Sequence, residues 1–549
     1  MRALAIGKPR AVRQKLAHAG LVAGAVMAFG AVAGQLVVLG ATPKPMIALA
    51  AAEPVAVNFS RPDIVDRNGR LLATDLEVPS LYADPMIVID RDEVVEKLAT
   101  VLPDIDSAKL RAALGDKQRR FEWVRRGLSP AVAQRIHNLG LPGLAFRNEL
   151  RRAYPAGETA GHVLGHVDID NRGMAGVEKY IDDVIGVDAV HSATLSTKAP
   201  VRLSLDLGVQ HALENELDDA MRKFATAGAA GLVLDIATGE VLASASLPRI
   251  DPSKGEAAPN PSQLDKISGS TFELGSVFKT ISVAMAFDEG VARPATMLDV
   301  REPLEAGGFT INDLHGAGRP LSVTEVFTHS SNIGAGMLAL KTGPQKMRSF
   351  YDKLGLLAPM RTEAGAVSAP QQPKTWDRAA MITMSYGHGI AVAPIQFAAA
   401  AAAIFNAGKH VTPTLLKASA PREAQERPIV TAETSRQMAR LFRLNVINAD
   451  GTGKRADAPG YRVGGKTGTA DLAGRGGYKG HGVLSSFLAA FPMDQPRYLT
   501  FVLLFEPKAT AETGGQHTAS TNAAPVTGQL IARIAPLLGV APMGVAATQ

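Results

Sequence analysis

Ser276 and Lys279 form the only S-x-x-K pattern in the chain. The preceding Gly275 and the apolar residues that follow predict that Ser276 opens a helix, so that both polar side chains lie on one helix face. At this spacing the lysine can take the serine proton if its amine is uncharged, a state favoured by burial or by a second cation. A serine at a helix amino terminus also offers a backbone N–H to a developing oxyanion. The pair predicts a serine acyl-transfer site; a capping serine beside an exposed lysine is the alternative.

An S-x-N pattern at Ser330 and Asn332 follows 54 residues after Ser276, in a region predicted to be helical. The Ser330 hydroxyl could relay a proton, and the Asn332 carboxamide could hold a substrate amide. Capping or turn formation is the alternative for such residues. A second S-x-N copy occurs at residues 520–522, in a polar segment predicted to be a loop.

A K-T-G-T pattern, formed by Lys466, Thr467, Gly468 and Thr469, lies in a glycine-rich segment predicted to be extended. On an edge strand, an ammonium group and hydroxyls at these positions could bind a substrate carboxylate, and the glycine allows close approach of another backbone. A K-T-G copy at residues 341–343 follows a run of apolar residues and is predicted to be a helix terminus.

Residues 460–467 also match the phosphate-binding pattern G-x-x-x-x-G-K-[ST]. A phosphate-binding loop of that kind must lead into a helix whose amino terminus faces the phosphates. Glycines follow here, without an alternating strand and helix pattern, so nucleotide binding is disfavoured.

The remaining polar patterns indicate neither a metal nor a cofactor. The 12 histidines lack a metal-binding spacing, and cysteine is absent. Residues 168–171 begin like a calcium loop but lack its remainder, which favours a surface turn. His315 and His388 are candidates to line the cleft, although a hydrogen-bonded structural histidine is the usual role.

The length of 549 residues and an apolar content of 46% predict two or more globular domains. Six cations precede the first acidic residue, Glu53, and account for the whole net charge of +6. The rest of the chain is therefore neutral, which argues against a nucleic-acid partner.

Residues 16–42 are almost wholly apolar, long enough for the roughly 20 residues that span a bilayer. Five cations precede this segment, which predicts a cytoplasmic tail at residues 1–15 and an external location for everything that follows. A cleaved signal peptide is the alternative, because residues 48–50 resemble a cleavage site. The apolar segment is longer than is typical of signal peptides, which favours an anchor.

Hydrophobic periodicity and turn residues predict strands on both sides of a helical middle, and hence an α+β domain that starts near residue 200. The predicted elements are a hairpin at Asn68-Gly69, a strand at residues 201–205, a helix at 210–224, a hairpin at 230–245, helices over 276–407 and strands over 484–506.

The three motifs, in this order, resemble those of penicillin-binding proteins and the related β-lactamases. The resemblance to class B penicillin-binding proteins, and to the division-specific transpeptidase among them, extends from the membrane anchor to about residue 530. Matching stretches lie at 61–73, 152–157, 173–178, 385–389, 514–515 and 523–526. Two positions depart from the family pattern: Leu274 replaces a proline, and His388 stands where tyrosine is common.

The resemblance implies an antiparallel sheet with a helical subdomain in a transpeptidase domain at residues 201–535. A mixed pedestal or dimerisation domain at 43–200 precedes it, and a flexible tail at 536–549 follows. It also implies the site roles: Ser276 as nucleophile, Lys279 as base, Ser330 as proton relay, Asn332 as substrate-amide ligand, Lys466 and Thr467 as carboxylate ligands, Gly468 beside them, and the backbone N–H groups of Ser276 and Thr469 as oxyanion hole.

The implied substrates are peptidoglycan stem peptides ending in D-Ala-D-Ala, with β-lactams as inhibitors and no cofactor. The implied partners are a membrane glycan polymerase and other division proteins, and the implied location is the inner membrane with the catalytic domain in the periplasm. Septal use is favoured over an elongation-specific role. A β-lactamase or sensor, a catalytically idle division scaffold and a D,D-carboxypeptidase are the rival functions.

Overall fold

The structure is a computed structural model that describes residues 10–41, 60–186, 199–255, 260–314, 316–418, 428–472 and 482–543. The chain divides into two compact units, residues 1–58 and residues 59–549. His315 and the cleavage-site candidate at residues 48–50 lie outside the described residues.

The first unit contains helix α1, Arg10–Ala41. Where its side chains are described, large apolar ones such as Val26 and Phe29 are exposed. Among the described residues, no helix combines the length and apolarity that crossing a membrane requires. Several side chains of the predicted anchor at 16–42 lie outside the described set, so the anchor stays a prediction.

The second unit begins with a five-stranded sheet whose first hairpin turns at Asn68-Gly69, as predicted. Gly69 has a φ of +87°, and the Asp66 carboxylate accepts the Asn68 and Arg70 N–H groups at 2.8 Å each. The strand predicted at 201–205 is shorter, because only its first two residues pair with the hairpin. The strands are β1 Ile64–Val65, β2 Leu71–Ala83, β3 Glu122–Arg125, β4 Leu144–Ala153 and β5 Val201–Arg202.

Three helices pack on the part of this sheet that strands β2 and β3 form. They surround a separate apolar cluster that includes Leu81, Leu98 and Leu114. Each helix begins at a side-chain cap, from Asp90, Asp106 or Ser129. The helices of this region are α2 Arg91–Val101, α3 Ser107–Gly115, α4 Pro130–His137, α5 Gly161–Leu164 and α6 Gly176–Tyr180, with a π-helical turn at Ile181–Gly186.

A buried network of ion pairs joins residues that lie far apart in this part of the chain. Arg152 and Glu178 are both fully buried, and their side chains approach to 2.7 Å. Glu178 also pairs with Arg61 at 2.9 Å, and Arg152 with Asp75 at 3.1 Å. Each charge has a partner, so removal of one member leaves another buried and unpaired.

Replacing Glu178 by alanine is expected to lower the free energy of unfolding by about 3–5 kcal/mol, because two buried arginines lose their shared carboxylate. Urea unfolding of the full chain, followed by the fluorescence of its two tryptophans, Trp123 and Trp376, measures the change. The matched control is Glu93→Ala, which removes an exposed pair with Lys97 and is expected to cost less than about 0.5 kcal/mol. Equal stability of the two variants would contradict the role given to the network.

The second sheet is antiparallel, and its strands are β6 Gly228–Asp235, β7 Val241–Leu247, β14 Gly464–Asp471, β15 Val483–Phe491 and β16 Tyr498–Phe505. They pair in the order β14-β15-β16-β6-β7, which joins segments more than 200 residues apart. This arrangement confirms the predicted α+β architecture with strands on both sides of a helical middle. Short pairs are formed by β8 Met297–Leu298 with β11 Leu321–Ser322, β9 Leu304–Ala306 with β10 Phe309–Ile311, and β12 Arg361–Thr362 with β13 Gly365–Ala366.

Both faces of this sheet are covered, which explains why its strands are almost continuously apolar. Val233 and Phe487 point to one face and pack with α7 and α15, which are Leu207–Phe224 and Ala523–Leu537. Their neighbours Leu232 and Leu488 point to the other face, toward the helical layer. That layer comprises α8 Lys279–Asp288, α9 Val323–Thr328, α10 Asn332–Thr342, α11 Pro344–Lys353, α12 Arg378–Ser385, α13 Pro394–Phe405 and α14 Ala432–Ile447.

Candidate active site

The segment that carries Ser276 is a tight 3-10 turn, Gly275–Phe278, which leads directly into α8. The predicted helix opening is therefore present, with Lys279 as the first residue of the α-helix. Gly275 has a φ of +61°, and a Cβ atom there would lie 2.5 Å from the carbonyl oxygen of Thr469. Glycine is required at this position both by the backbone conformation and by the contact with β14.

The K-T-G-T motif lies in strand β14, as its predicted extended conformation requires, and β14 is an edge strand of the sheet. Gly468 allows the turn to pack directly on it, because an added Cβ would lie 2.6 Å from the Leu274 carbonyl oxygen. Lys466 pairs with Leu488 in the sheet, which places its side chain on the face toward the helical layer. Ser276 and Lys466, which are 190 positions apart in the sequence, thus lie in one cleft.

The Lys279 amine is fully buried at the centre of this cleft. Its Nζ lies 2.9 Å from Ser276 Oγ, 3.1 Å from Ser330 Oγ and 2.7 Å from Asn332 Oδ1. It also contacts the Ser330 carbonyl oxygen at 2.6 Å. The structure therefore brings the S-x-x-K and S-x-N residues together around one amine.

Ser330 is not in a helix, which corrects the predicted helical setting of the S-x-N motif. Helix α9 ends at Thr328 and α10 begins at Asn332, so only three residues connect the two helices. Ser330 takes a left-handed conformation at this corner, with a φ of +63°. Such a backbone is unfavourable for a serine by about 1–2 kcal/mol, and it directs the hydroxyl between the two lysines.

Lys466 completes the cluster from the strand side. Its buried Nζ lies 3.0 Å from Ser330 Oγ and 3.3 Å from Thr467 Oγ1. Thr467 Oγ1 in turn donates to Thr452 Oγ1 at 2.9 Å. The Ser330 hydroxyl consequently bridges the two amines, and the Lys466 end of the cleft offers donors to a carboxylate.

The electrostatics of the cleft favour an uncharged Lys279. Burial lowers the pKa of Lys279 well below its usual range, and the charge of Lys466 lowers it further, while Asp313 opposes both effects. Burial also lowers the pKa of Lys466, to about 7. A neutral Lys279 can accept the Ser276 proton, while Lys466 is still partly charged near neutral pH.

Comparison of the sequence with known proteins points to one family. Residues 229–532 match the family described as the penicillin binding protein transpeptidase domain. Residues 57–191 match the penicillin-binding protein dimerisation domain. The chain belongs to the class B penicillin-binding proteins.

Three relatives of this penicillin-binding protein illustrate the similarity. The probable peptidoglycan D,D-transpeptidase FtsI of Caulobacter vibrioides is 40% identical over 492 residues, covering 88% of this chain and 82% of the relative. The probable peptidoglycan D,D-transpeptidase PenA of Neisseria meningitidis is 30% identical, covering 83% of this chain and 81% of the relative. The peptidoglycan D,D-transpeptidase FtsI of Escherichia coli is 28% identical, covering 88% of this chain and 85% of the relative.

The pKa of Lys466 predicts an alkaline limb in the acylation of this penicillin-binding protein. We expect the second-order rate constant for acylation by penicillin to fall above about pH 7, approaching tenfold per pH unit, because neutral Lys466 no longer attracts the penicillin carboxylate. Stopped-flow labelling across pH measures it. A penicillin methyl ester, which lacks the carboxylate, is expected to lack this limb; an identical limb for both compounds would contradict the assignment.

The structure gives other roles to the duplicate motifs. Asn522 of the second S-x-N copy caps α15, and Lys341 lies at the predicted helix terminus, the end of α10. The segment at 460–467 leads into strand β14 and not into a helix. Asp168 closes a turn by accepting the Asp170 and Arg172 N–H groups. Among the described residues, no group of three or more acidic or histidine side chains is placed to hold a metal ion.

Two residues of the site, Thr452 and Asn445, were not identifiable from sequence patterns. Thr452, which contacts Thr467, is held by the Asn445 carboxamide at 3.1 Å, and Asn445 also donates to the Gly465 carbonyl oxygen at 2.8 Å. The contacts of Thr452 and Asn445 depend on tertiary packing and have no fixed spacing from Ser276.

The stretch at 385–389, which matches the family pattern, borders the cleft. The Tyr386 ring lies 6.0 Å from Lys279 Nζ, and the ring of His388, a candidate cleft residue, lies 5.4 Å from the Tyr386 ring.

Proposed function

We propose that this protein is a peptidoglycan D,D-transpeptidase that cross-links stem peptides through an acyl-enzyme on Ser276 during septal wall synthesis. The observation that carries the proposal is the unbroken series of contacts from Ser276 through Lys279 and Ser330 to Lys466, each between 2.9 and 3.1 Å. The names of the FtsI relatives support the reaction and the septal role.

Acylation begins when neutral Lys279 takes the proton of Ser276 and the serine oxygen attacks the carbonyl carbon of the penultimate D-alanine. Lys466 and Thr467 bind the carboxylate of the terminal D-alanine, and Asn332 holds a substrate amide. The proton passes through Ser330 to the leaving nitrogen, so the terminal D-alanine departs as a neutral amine. The acyl group remains as an ester on Ser276.

Deacylation reverses the proton path with a different nucleophile. An amine of a neighbouring stem peptide attacks the ester carbonyl, and its proton returns to Ser276 through the same groups. The backbone N–H groups of Ser276 and Thr469 stabilise the oxyanion in both steps. Their placement is favoured by the contact that Gly275 and Gly468 permit between the turn and β14.

We further propose roles for the remaining parts of the chain. Residues 16–42 anchor the chain in the inner membrane, with residues 1–15 in the cytoplasm and the catalytic domain in the periplasm. Residues 43–200 form the pedestal, which contacts a membrane glycan polymerase and other division proteins, residues 201–535 form the transpeptidase domain, and 536–549 form the tail. β-Lactams acylate Ser276 in place of the stem peptide.

A product assay tests the proposal. The full chain is incubated with polymerised, uncross-linked glycan strands, which are then digested to muropeptides and separated. Cross-linked dimers are expected with the native chain and none with Ser276→Ala. Free tetrapeptide without dimers would instead identify a D,D-carboxypeptidase. Absence of any product would identify an idle scaffold or sensor. Rapid hydrolysis of penicillin, when penicillin is supplied in place of the glycan strands, would identify a β-lactamase.

The septal role has its own test. Depletion of the protein from its native cells is expected to produce filaments, because division stops while elongation continues. Rounded cells would instead identify the elongation-specific enzyme.

A further inference from the structure

Asp313 lies outside the three motifs, two residues after strand β10, yet its carboxylate binds the corner that carries the S-x-N residues. Oδ2 accepts the Ser331 hydroxyl at 2.6 Å, and Oδ1 accepts the backbone N–H groups of Asn332 and Ile333 at 2.5 and 3.0 Å. One carboxylate thus satisfies three donors where α10 begins.

These contacts fix the Asn332 side chain as well as its backbone. The Asn332 amide nitrogen donates to the Asn312 carbonyl oxygen at 3.3 Å, and the amide oxygen faces Lys279 Nζ at 2.7 Å. The segment of Asn312 and Asp313 therefore holds the residue that contacts the lysine amine. A shift of this segment would change the surroundings of the Lys279 amine directly.

Asp313 also supplies a negative charge to a cleft that contains two lysines. The ionisable groups facing Lys279 are Lys466 on β14, Asp313 after β10 and Tyr386 after α12, with Glu273 next to Tyr386. The charge of Asp313 raises the pKa of Lys279, whereas that of Lys466 lowers it. The free energy of protonating Lys279 thus depends on opposing contributions from the two neighbours.

We propose that Asp313 is a positioning residue that holds Asn332 against the Lys279 amine and sets the pH range in which that amine accepts the Ser276 proton. This inference rests on the proposed function. Asp313 touches neither the nucleophile nor the carboxylate end of the cleft, and acts through the S-x-N corner and through its charge.

The main rival explanation is an ordinary helix cap. Asp377 provides one in this fold, accepting the Ala380 N–H at 2.9 Å at the start of α12. Removing such a cap lowers stability, but a cap that does not face Lys279 leaves the protonation of that amine unchanged. The two roles therefore differ in the pH dependence of acylation.

The test compares Asp313→Asn with Asp377→Asn in the full chain, using a fluorescent penicillin and following labelling of Ser276 between pH 4 and pH 10. Loss of the negative charge favours the neutral amine, so the acid limb is expected to move to lower pH by about one unit in Asp313→Asn. Asp377→Asn is expected to keep the acid limb of the native chain. An acid limb that stays in place, or moves to higher pH, in Asp313→Asn overturns the inference.

Asp313→Glu covers the case in which Asp313→Asn does not fold. It keeps the charge but lengthens the side chain by one methylene, so the acid limb is expected to stay in place while the maximal labelling rate falls at least about tenfold. An unchanged rate overturns the inference. Failure of the native chain to be labelled at any pH would instead overturn the proposed function itself.

Discussion

Lys279→Ala is expected to lower the rate of acylation by penicillin by about 10³-fold, the largest effect of any substitution that leaves the nucleophile in place. Lys279 Nζ lies 2.9 Å from Ser276 Oγ and is fully buried, so its loss leaves no base within hydrogen-bond distance of that hydroxyl among the described residues. Stopped-flow labelling with a fluorescent penicillin at pH 7 measures the rate.

Lys341→Ala is the matched control, because Lys341 belongs to the second K-T-G copy and is exposed at the end of α10. It is expected to be acylated at the native rate. A Lys279→Ala rate within tenfold of the native rate would show that another group takes the proton.

Gly468→Ala is expected to lower acylation about 100-fold and the free energy of unfolding by about 1–3 kcal/mol. The added Cβ would lie 2.5 Å from Ser486 Oγ and 2.6 Å from the Leu274 carbonyl oxygen. The second of these atoms belongs to the backbone before the Ser276 turn, so the turn must move away from β14. The same labelling assay and urea unfolding give both quantities.

The matched control is Gly316→Ala, since an added Cβ at that glycine meets nothing within 4 Å. It is expected to leave both rate and stability unchanged. Native acylation in Gly468→Ala would contradict the view that this close approach sets the position of the nucleophile.

Much of the architecture could be predicted from local patterns. The Asn68-Gly69 hairpin, the helix α7 and the paired strands β15 and β16 follow from turn residues and apolar periodicity. The extended conformation of the segment that carries Lys466 was also predicted from its local sequence. In each case the relevant signal lies within about 20 residues of the element that it specifies.

The parts that could not be predicted depend on distant contacts. The left-handed Ser330 occurs because two helices meet at a three-residue corner, a feature that no residue type in the motif specifies. Asp313 reaches the same corner from a preceding loop, and Thr452 reaches Thr467 from the segment after α14. Only packing places these side chains together. The anchor and the domain boundaries stay predictions.

The central claim is that the Lys279 amine activates Ser276 and no other serine. The most direct measurement is to label the full chain with penicillin, digest it with trypsin and locate the adduct by fragment-ion mass spectrometry. Cleavage after Lys266 and Lys279 releases residues 267–279, which also contain Ser268 and Ser270 as internal comparisons. If Lys279 activates Ser276, a single adduct is expected on Ser276 and none in Ser276→Ala. An adduct on any other residue of the native chain, or no adduct at all, would contradict this activation.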